Sequence, residues 1–349
     1  MLELSTSWHN VKDLGIAHLQ AVQNVILNCA VESPDGSQPP DFFNEALIYW
    51  KMITCVLNEN VTLNDYSVQY EPQPSGVATC KCLTLGSVAQ IRSHPWTGVA
   101  SVPQTMFTRV VRLIQEVRIF EQGQLTTRRS GSFPNRPRDF LLSVHMLEEE
   151  LWSLELPSLH EIANTGDENT PAIHHLLPAE TYMFANLNQL YYTSPNLCRR
   201  RAKEIIEISE AEGTSDFSWA ESQAGLCSAL SCSNRNTEKR LMFIGRSILT
   251  RLEEIRVSSG TSWVQPLLLL VGSACLPTTP ELEGGEEEEI LRMRRFVLDR
   301  LSYLSIAYLS EPMHCVKLMV LEIFKRLDIG VNVFWMDVLH SMGLVTIIG

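Results

Sequence analysis

The stretch VPQTMFTRVVRLIQEVRIF (102–120) repeats apolar residues at alternating spacings of four and three. The repeated residues are Met106, Val110, Leu113, Val117 and Phe120. This spacing places their side chains on one face of an α-helix, ready to be buried against neighbouring helices. Alternation with a period of two, which would indicate strands, is scarce along the chain. The pattern therefore predicts a mostly or wholly α-helical protein of the all-α class.

The same one-faced apolar pattern recurs along the chain. It is found in residues 41–57, 241–255, 290–304 and 316–327. The longest apolar stretch is WVQPLLLLVGSACLP (263–277), which is too short to span a bilayer and contains Gln265 and Pro266. It predicts a buried helix that begins near Pro266, where a proline in the first turn costs no hydrogen bond. Ser310, ahead of Pro312, predicts the start of another helix, and Gly330 predicts the end of one.

The composition is that of a globular protein, with 349 residues, 45% hydrophobic and 19% charged, and a formal net charge of −12. Half of that imbalance comes from six acids in the segment ELEGGEEEE (281–289). An acidic chain without a clustered basic face is poorly suited to binding phosphate backbones. We therefore expect no direct binding to nucleic acid by this chain alone.

Nine cysteines form no pairing framework, and a reducing, intracellular compartment is expected. The N-terminal residues carry no basic segment followed by an apolar block, so no secretory signal is predicted. One helical domain is expected to cover residues 1–349. Its predicted loops lie near residues 58–93, 122–138 and 277–289, which are rich in proline, glycine or charge.

Candidate catalytic and metal-binding residues are few. Zinc sites need four convergent ligands, usually in two close pairs, and the chain has no CxxC pair. His174 and His175 are adjacent, and on a helix they would point about 100° apart, so a shared metal is not expected. A solvated loop pair or the start of a helix explains them better. Phosphate-binding and nucleophile-elbow motifs are absent. We predict no catalytic, cofactor-binding or metal-binding residues.

Charged clusters have simple structural explanations as well. The acids of LEEEL (147–151) are expected on a solvated helix face. One basic cluster falls in a predicted loop and comprises Arg128, Arg129, Arg136 and Arg138. A second cluster falls in CRRRAKEIIEI (198–208) and predicts either a charged helix start or a weak nuclear-import or partner-binding patch.

Several segments, in order along the chain, resemble the fungal-specific transcription factor domain. This is the regulatory region C-terminal to the zinc cluster of fungal regulators, and the subfamily of the acriflavine sensitivity control protein is the most similar. The resemblance covers most of residues 8–349. Its strongest parts are SWVQPLLLLVGSAC (262–275) and LMVLEIFKRLDIGVNVFWMDVLHSMGLVTIIG (318–349), in which Arg326, Asp328, Gly330 and Trp335 match in register.

The earlier matches are looser. They are WHNVKDLGIAHLQAVQNVI (8–26), FFNEALIYWKMITCVL (42–57) and HPWTGVASVPQTMFTRVVRLIQEV (94–117), the last with the family's glycine turn at Gly98. The chain departs from the family by lacking the six-cysteine DNA-binding cluster and, in the first segment, the small glycine–alanine pair. These departures predict an N-terminally truncated member, which is either a natural reduced protein or the translation of an incomplete gene model.

The resemblance implies a stack of antiparallel helices that regulates transcription in the nucleus. The expected target is a metabolic gene set, such as one for secondary metabolism. Such a chain would act through protein partners, either a DNA-binding relative or the transcription machinery, as a homodimer or heterodimer, and could respond to a small-molecule effector. No membrane association and no cofactor are expected. The alternatives are a helical enzyme or metabolite-binding protein, supported by His174 and His175, and a relic without function.

Overall fold

The computed structural model describes residues 19–25, 41–57, 90–126, 136–211, 227, 230, 237–278, 285–308 and 310–343. Within these ranges the regular structure is helical, and only two isolated β-bridges occur, Ile91 with Ile162 and His94 with Gly98. The prediction of an all-α fold is confirmed. No helix in the described ranges has the length and apolar character needed to cross a membrane.

Ten α-helices of eight or more residues are described along the chain. Their bounds are α1 Asp41–Leu57, α2 Ser101–Thr126, α3 Arg136–Trp152, α4 Ala172–Thr193, α5 Pro195–Ala211, α6 Thr237–Glu254, α7 Gln265–Ser273, α8 Glu286–Ala307, α9 Ser310–Asp328 and α10 Trp335–Met342. Residues 19–25 are also helical, and short 3-10 turns lie at Leu159–Glu161 and Gly260–Val264. The one-faced apolar patterns found in the sequence lie on helices α1, α2, α6, α8 and α9.

Helix α4 is the central element of the structure. It contacts α2, α3, α5, α6 and α7, and its residues from His174 to Tyr191 are buried on nearly every side. A helix surrounded in this way needs apolar or hydrogen-bonded side chains around its whole circumference. In MFANLNQLYY (183–192) the Asn186 side chain donates a hydrogen bond of 2.9 Å to the Pro103 carbonyl, whereas the buried Gln189 amide meets no hydrogen-bond partner within the described residues.

Helix α7 is buried at every residue from Gln265 to Ser273, which confirms the buried helix predicted there, and Pro266 lies in its first turn. It crosses α6 at very short distance because both helices have glycine at the crossing. A Cβ atom on Gly245 would lie 2.2 Å from the Cβ of Cys275, and one on Gly272 would lie 2.8 Å from Leu249. These two glycines therefore set the separation of α6 and α7.

Two of the predicted loops are shorter than the sequence indicated. Helix α2 continues to Thr126 and α3 already begins at Arg136, so residues 122–126 and 136–138 are helical. Proline at the second position of α3 is compatible with a helix start, because the first-turn amides need no intrahelical acceptor. Of the loop predicted at 58–93, residues 90–93 are non-helical and the remainder lies outside the described residues.

The acidic loop predicted at 277–289 needs a similar correction. Its last four residues, Glu286–Glu289, form the first turn of α8, directly after Gly285 at φ 104°. Carboxylates are favourable in a first turn because they face the positive end of the helix dipole. Gly330 has φ 74° just beyond α9, as its predicted helix-ending role requires, and α9 begins at Ser310 itself.

Candidate functional site

Three histidines meet where the turn at residues 94–98 packs on the start of α4. His174 and His175 lie in the first turn of α4, and the His175 carbonyl accepts a hydrogen bond of 3.0 Å from the Val99 amide. His94 lies in the turn, and its Nδ1 accepts the amides of Trp96 at 3.3 Å and Thr97 at 3.2 Å. We call His94, His174 and His175 the histidine cluster.

The histidine cluster is buried, and His175 is only 1% exposed. Burial lowers the pKa of His94 to about 4, with a further contribution from the charge of His175. Burial also lowers the pKa values of His174 and His175. The three rings are therefore neutral at physiological pH, and neither ring nitrogen of His175 meets a hydrogen-bond partner within the described residues.

Of the two alternatives for His174 and His175, the solvated loop pair is wrong and the start of a helix is confirmed. The physical reason is the position of α4, whose N-terminal turn is covered by residues 94–98. Gly98 permits this contact, because a Cβ atom there would lie 2.1 Å from the His175 carbonyl oxygen. A neutral, enclosed imidazole can be a core side chain.

A second polar cluster forms where α3 and α4 meet the start of α5. The side chain of Glu148 is completely buried. Its Oε1 accepts hydrogen bonds from the Tyr191 hydroxyl at 2.9 Å and from Arg201 Nε at 3.2 Å, and its Oε2 accepts one from Arg200 Nη2 at 2.5 Å. Trp152 donates to the Tyr191 hydroxyl at 3.0 Å. We call Glu148, Tyr191, Arg200 and Arg201 the carboxylate–arginine cluster.

This cluster corrects the prediction for residues 147–151, and for residues 198–208 it favours the charged helix start over a free basic patch. LEEEL (147–151) is not a uniformly solvated face, because Glu148 points into the core while Glu149 and Glu150 stay at the surface. Arg200 and Arg201 are not a free basic patch, because both hold Glu148 and Glu149 in ion pairs. Burial favours the neutral form of Arg201, but hydrogen bonds and charge from Glu148 raise its pKa overall.

The described residues offer one group with metal-ligand geometry, in which atoms of His145, Glu148 and Glu149 lie within 4.8 Å of one another. A cation there would meet Arg200 and Arg201, which already neutralise both carboxylates. Two fixed guanidinium charges at that distance repel a metal ion. The donor set therefore fits an ion-pair network and does not fit a metal centre.

Two grooves lie on the surface formed by α6, α8 and α9. The first, of about 640 Å³, runs between α8 and α9. It is lined by Arg294, Arg295, Leu298, Asp299, Leu321, Phe324, Lys325, Asp328 and Ile329. The second, of about 410 Å³, lies between the end of α6 and α8. It is lined by Glu253, Val257, Arg292, Arg295, Phe296, Asp299, Arg300 and Tyr303. We call them the α8–α9 groove and the arginine groove.

Neither the histidine cluster nor the buried carboxylate lines either groove. The candidate residues singled out from the sequence are therefore separated from the concave surfaces. The basic residues Arg128 and Arg129 lie outside the described residues, as do the side chains of Arg136 and Arg138. The spacing of residues in the sequence could not predict the grooves, because their walls are formed by residues of α6, α8 and α9 that are far apart along the chain.

The fold and its grooves define a helical protein with an outward-facing helix pair, α8 and α9, and a buried polar core around α4. The sequence matches no protein-family model, no curated protein and no solved structure.

Proposed function

We propose that this chain is a non-catalytic regulatory protein that controls transcription of a metabolic gene set in the nucleus through a protein partner. The observation that carries the proposal is an apolar seam on the outer face of α9. Leu318, Leu321 and Ile329 are large apolar side chains, and they are 37%, 44% and 72% exposed. Large apolar groups collected on one exposed face are typical of protein-binding surfaces.

The seam has the spacing that another helix would need. His314, Leu318, Leu321 and Lys325 follow at intervals of four, three and four residues, as the core positions of a coiled coil do. The opposite face of α9 is already used, since Val316, Met319, Val320 and Ile323 are buried in the core. On the outer face of α9, Leu318 and Leu321 therefore form an exposed apolar patch between the polar residues His314 and Lys325.

The occupant that we propose is an amphipathic helix of a DNA-binding partner, with acidic residues beside its apolar stripe. Lys325 and Arg295 stand at the α8–α9 groove, where they can pair with such acids. The net charge of −12 argues against DNA as the direct partner, since phosphate binding needs a clustered basic surface. The resemblance of residues 318–349 to the end of the fungal-specific transcription factor domain supports the same assignment.

A non-enzymatic role is supported by the enclosure of the histidine cluster. His94, His174 and His175 are buried, and the two grooves contain no histidine, cysteine or serine in their walls. The alternative of a metabolite-binding protein has one specific observation in its favour, the arginine groove. Binding of a metabolite there is compatible with a regulatory role.

The test is a gene deletion in the source organism, complemented with the full chain or with single-residue variants, and read as a transcript profile. The full chain is expected to restore a coherent set of transcripts, and Leu321→Glu is expected not to, because a buried charge would oppose partner docking. Ile119→Glu, on an exposed apolar residue of α2, is the matched control and should restore them.

Transcripts that do not change on deletion would overturn the proposal, and an altered metabolite pattern beside them would favour the metabolic alternative. If Leu321→Glu restored the transcripts as well as the full chain does, the α9 seam would not be the partner-binding surface. A fluorescent fusion of the full chain tests the nuclear location independently.

A further inference from the structure

Arg300 on α8 is a buried arginine whose guanidinium is fixed in place. It is 8% exposed, and its Nη1 donates to the Ile255 carbonyl at 2.9 Å and to Gln265 Oε1 at 2.8 Å. The ring of Phe296 lies under it, with 5.0 Å between the guanidinium carbon and the ring centroid. These contacts join the end of α6 to the start of α7 and hold the guanidinium at the wall of the arginine groove.

The charge of Arg300 has no direct carboxylate partner within the described residues. Burial lowers the pKa of Arg300, and the charge of Glu253 only opposes that shift. The Glu253 carboxylate accepts a hydrogen bond of 2.6 Å from Arg292, so its charge is already shared. Nε and Nη2 of Arg300 donate to no described residue. Within the described residues Arg300 is therefore a buried cation with two free hydrogen-bond donors beside the groove, and an anion bound there would pair with it.

A second arginine stands at the same groove. Arg295 is exposed and makes no hydrogen bond or ion pair with any described residue, and it lies one and a half turns before Arg300 on α8. Phe296, Tyr303 and Val257 complete the wall with apolar surface. The groove is open to solvent, and its volume of about 410 Å³ leaves space for one small molecule at the surface.

We propose that the arginine groove binds a small organic anion. Its single oxyanionic group, a carboxylate or a phosphate ester, pairs with Arg300, the exposed Arg295 adds attractive charge at the groove wall, and its flat apolar body lies against Phe296 and Tyr303. Asp299 at the rim disfavours a second anionic group. Guanidinium groups suit this ligand because their planar donor sets match the oxygens of carboxylates and phosphates. The proposal does not depend on a role in transcription.

The test is isothermal titration of the full chain with benzoate and with phenyl phosphate, and with benzamide as the neutral probe. Wild-type chain is expected to bind at least one of the two anions and not benzamide. Arg300→Met is expected to weaken that binding by about tenfold or more, because it removes a charge-assisted hydrogen bond. Arg295→Met removes an exposed charge and is expected to weaken it about threefold.

Arg199→Met is the matched control, since Arg199 is an exposed arginine bonded to Asn196 and lies far from the groove in sequence. If Arg300→Met does not fold, Arg300→Lys keeps the charge without the planar donor set, and an intermediate affinity is expected. The anion that binds more tightly, benzoate or phenyl phosphate, shows whether the groove prefers a carboxylate or a phosphate ester. Absence of binding up to about 10 mM, equal binding of benzamide, or unchanged affinity in both arginine variants would overturn the proposal.

Discussion

Replacing Glu148 by glutamine should destabilise the protein far more than the same change at Glu149. Glu148 is fully buried and accepts hydrogen bonds from Tyr191, Arg200 and Arg201. In Glu148→Gln the shape is nearly kept, but the guanidinium groups lose their buried counter-charge, and the new amide hydrogens face donors. Removing one member of a buried ion pair costs about 3–5 kcal/mol.

The expected cost lies at the lower end of that range. The Arg200 side chain is one-third exposed, and Arg201 also pairs with Glu149 and Glu204, so water and neighbouring acids compensate part of the loss. We expect a decrease of about 3 kcal/mol in the free energy of unfolding, a large share of the 5–15 kcal/mol typical of a folded domain.

Urea denaturation followed by circular dichroism measures this difference, with the slope of the transition checked for each variant. Glu149→Gln, at a half-exposed carboxylate, is the control and should cost less than about 1 kcal/mol. The double variant Glu148→Leu/Arg201→Met should be milder than Glu148→Gln, because it removes the carboxylate together with the more buried of its two arginine partners and leaves the more exposed Arg200 paired with Glu149. If Glu148→Gln and Glu149→Gln differ by less than about 1 kcal/mol, the reasoning from burial is refuted.

Two further predictions concern the histidine cluster. Gly98→Ala should cost several times more stability than Gly166→Ala in the same urea assay. Both glycines have positive φ, but a Cβ at Gly98 would lie 2.1 Å from the His175 carbonyl oxygen, whereas one at Gly166 meets no atom within 4 Å; equal costs would contradict the close contact. Lowering the pH from 7 to 4 should decrease the free energy of unfolding by up to about 3 kcal/mol through His94, because its pKa is about 4 when folded and about 6.5 when unfolded. The unfolded chain binds more protons between those values, and a titration curve unchanged in His94→Gln would show that another group is responsible.

The fold class could be predicted from sequence because helical stripes are local. Spacings of three and four identify the inner face of α2 or α9 without knowledge of any neighbour. The buried state of α4 could not be read in the same way, since a helix covered on all sides has no polar face to define a stripe. For that reason the sequence leaves open whether His174 and His175 lie in a solvated loop or at a helix start, whereas the structure places them at the covered end of this helix.

The carboxylate–arginine cluster did leave a signal in the sequence. Val144, Leu147 and Leu151 form a buried stripe, and Glu148 lies on the same stripe, four residues after Val144. A single acid on an apolar face indicates a buried partner, because an unpaired carboxylate is too costly there. The partner itself could not be identified, since Arg200 and Arg201 lie 52 and 53 residues further along the chain.

Two buried arginines of helix α8, Arg294 and Arg300, differ in how their charges are neutralised. Arg294 and Arg300 are equally buried, at 8% exposed, and each lies over a phenylalanine ring. Arg294 donates to the Leu276 carbonyl and to the Asp328 carboxylate at 2.7 Å, so its charge is compensated within the fold. Arg300 has a carbonyl and an amide oxygen as acceptors, and the described residues give it no bonded carboxylate. The charge of Arg294 is thus neutralised within the fold, whereas the charge of Arg300 is left for an external anion to neutralise.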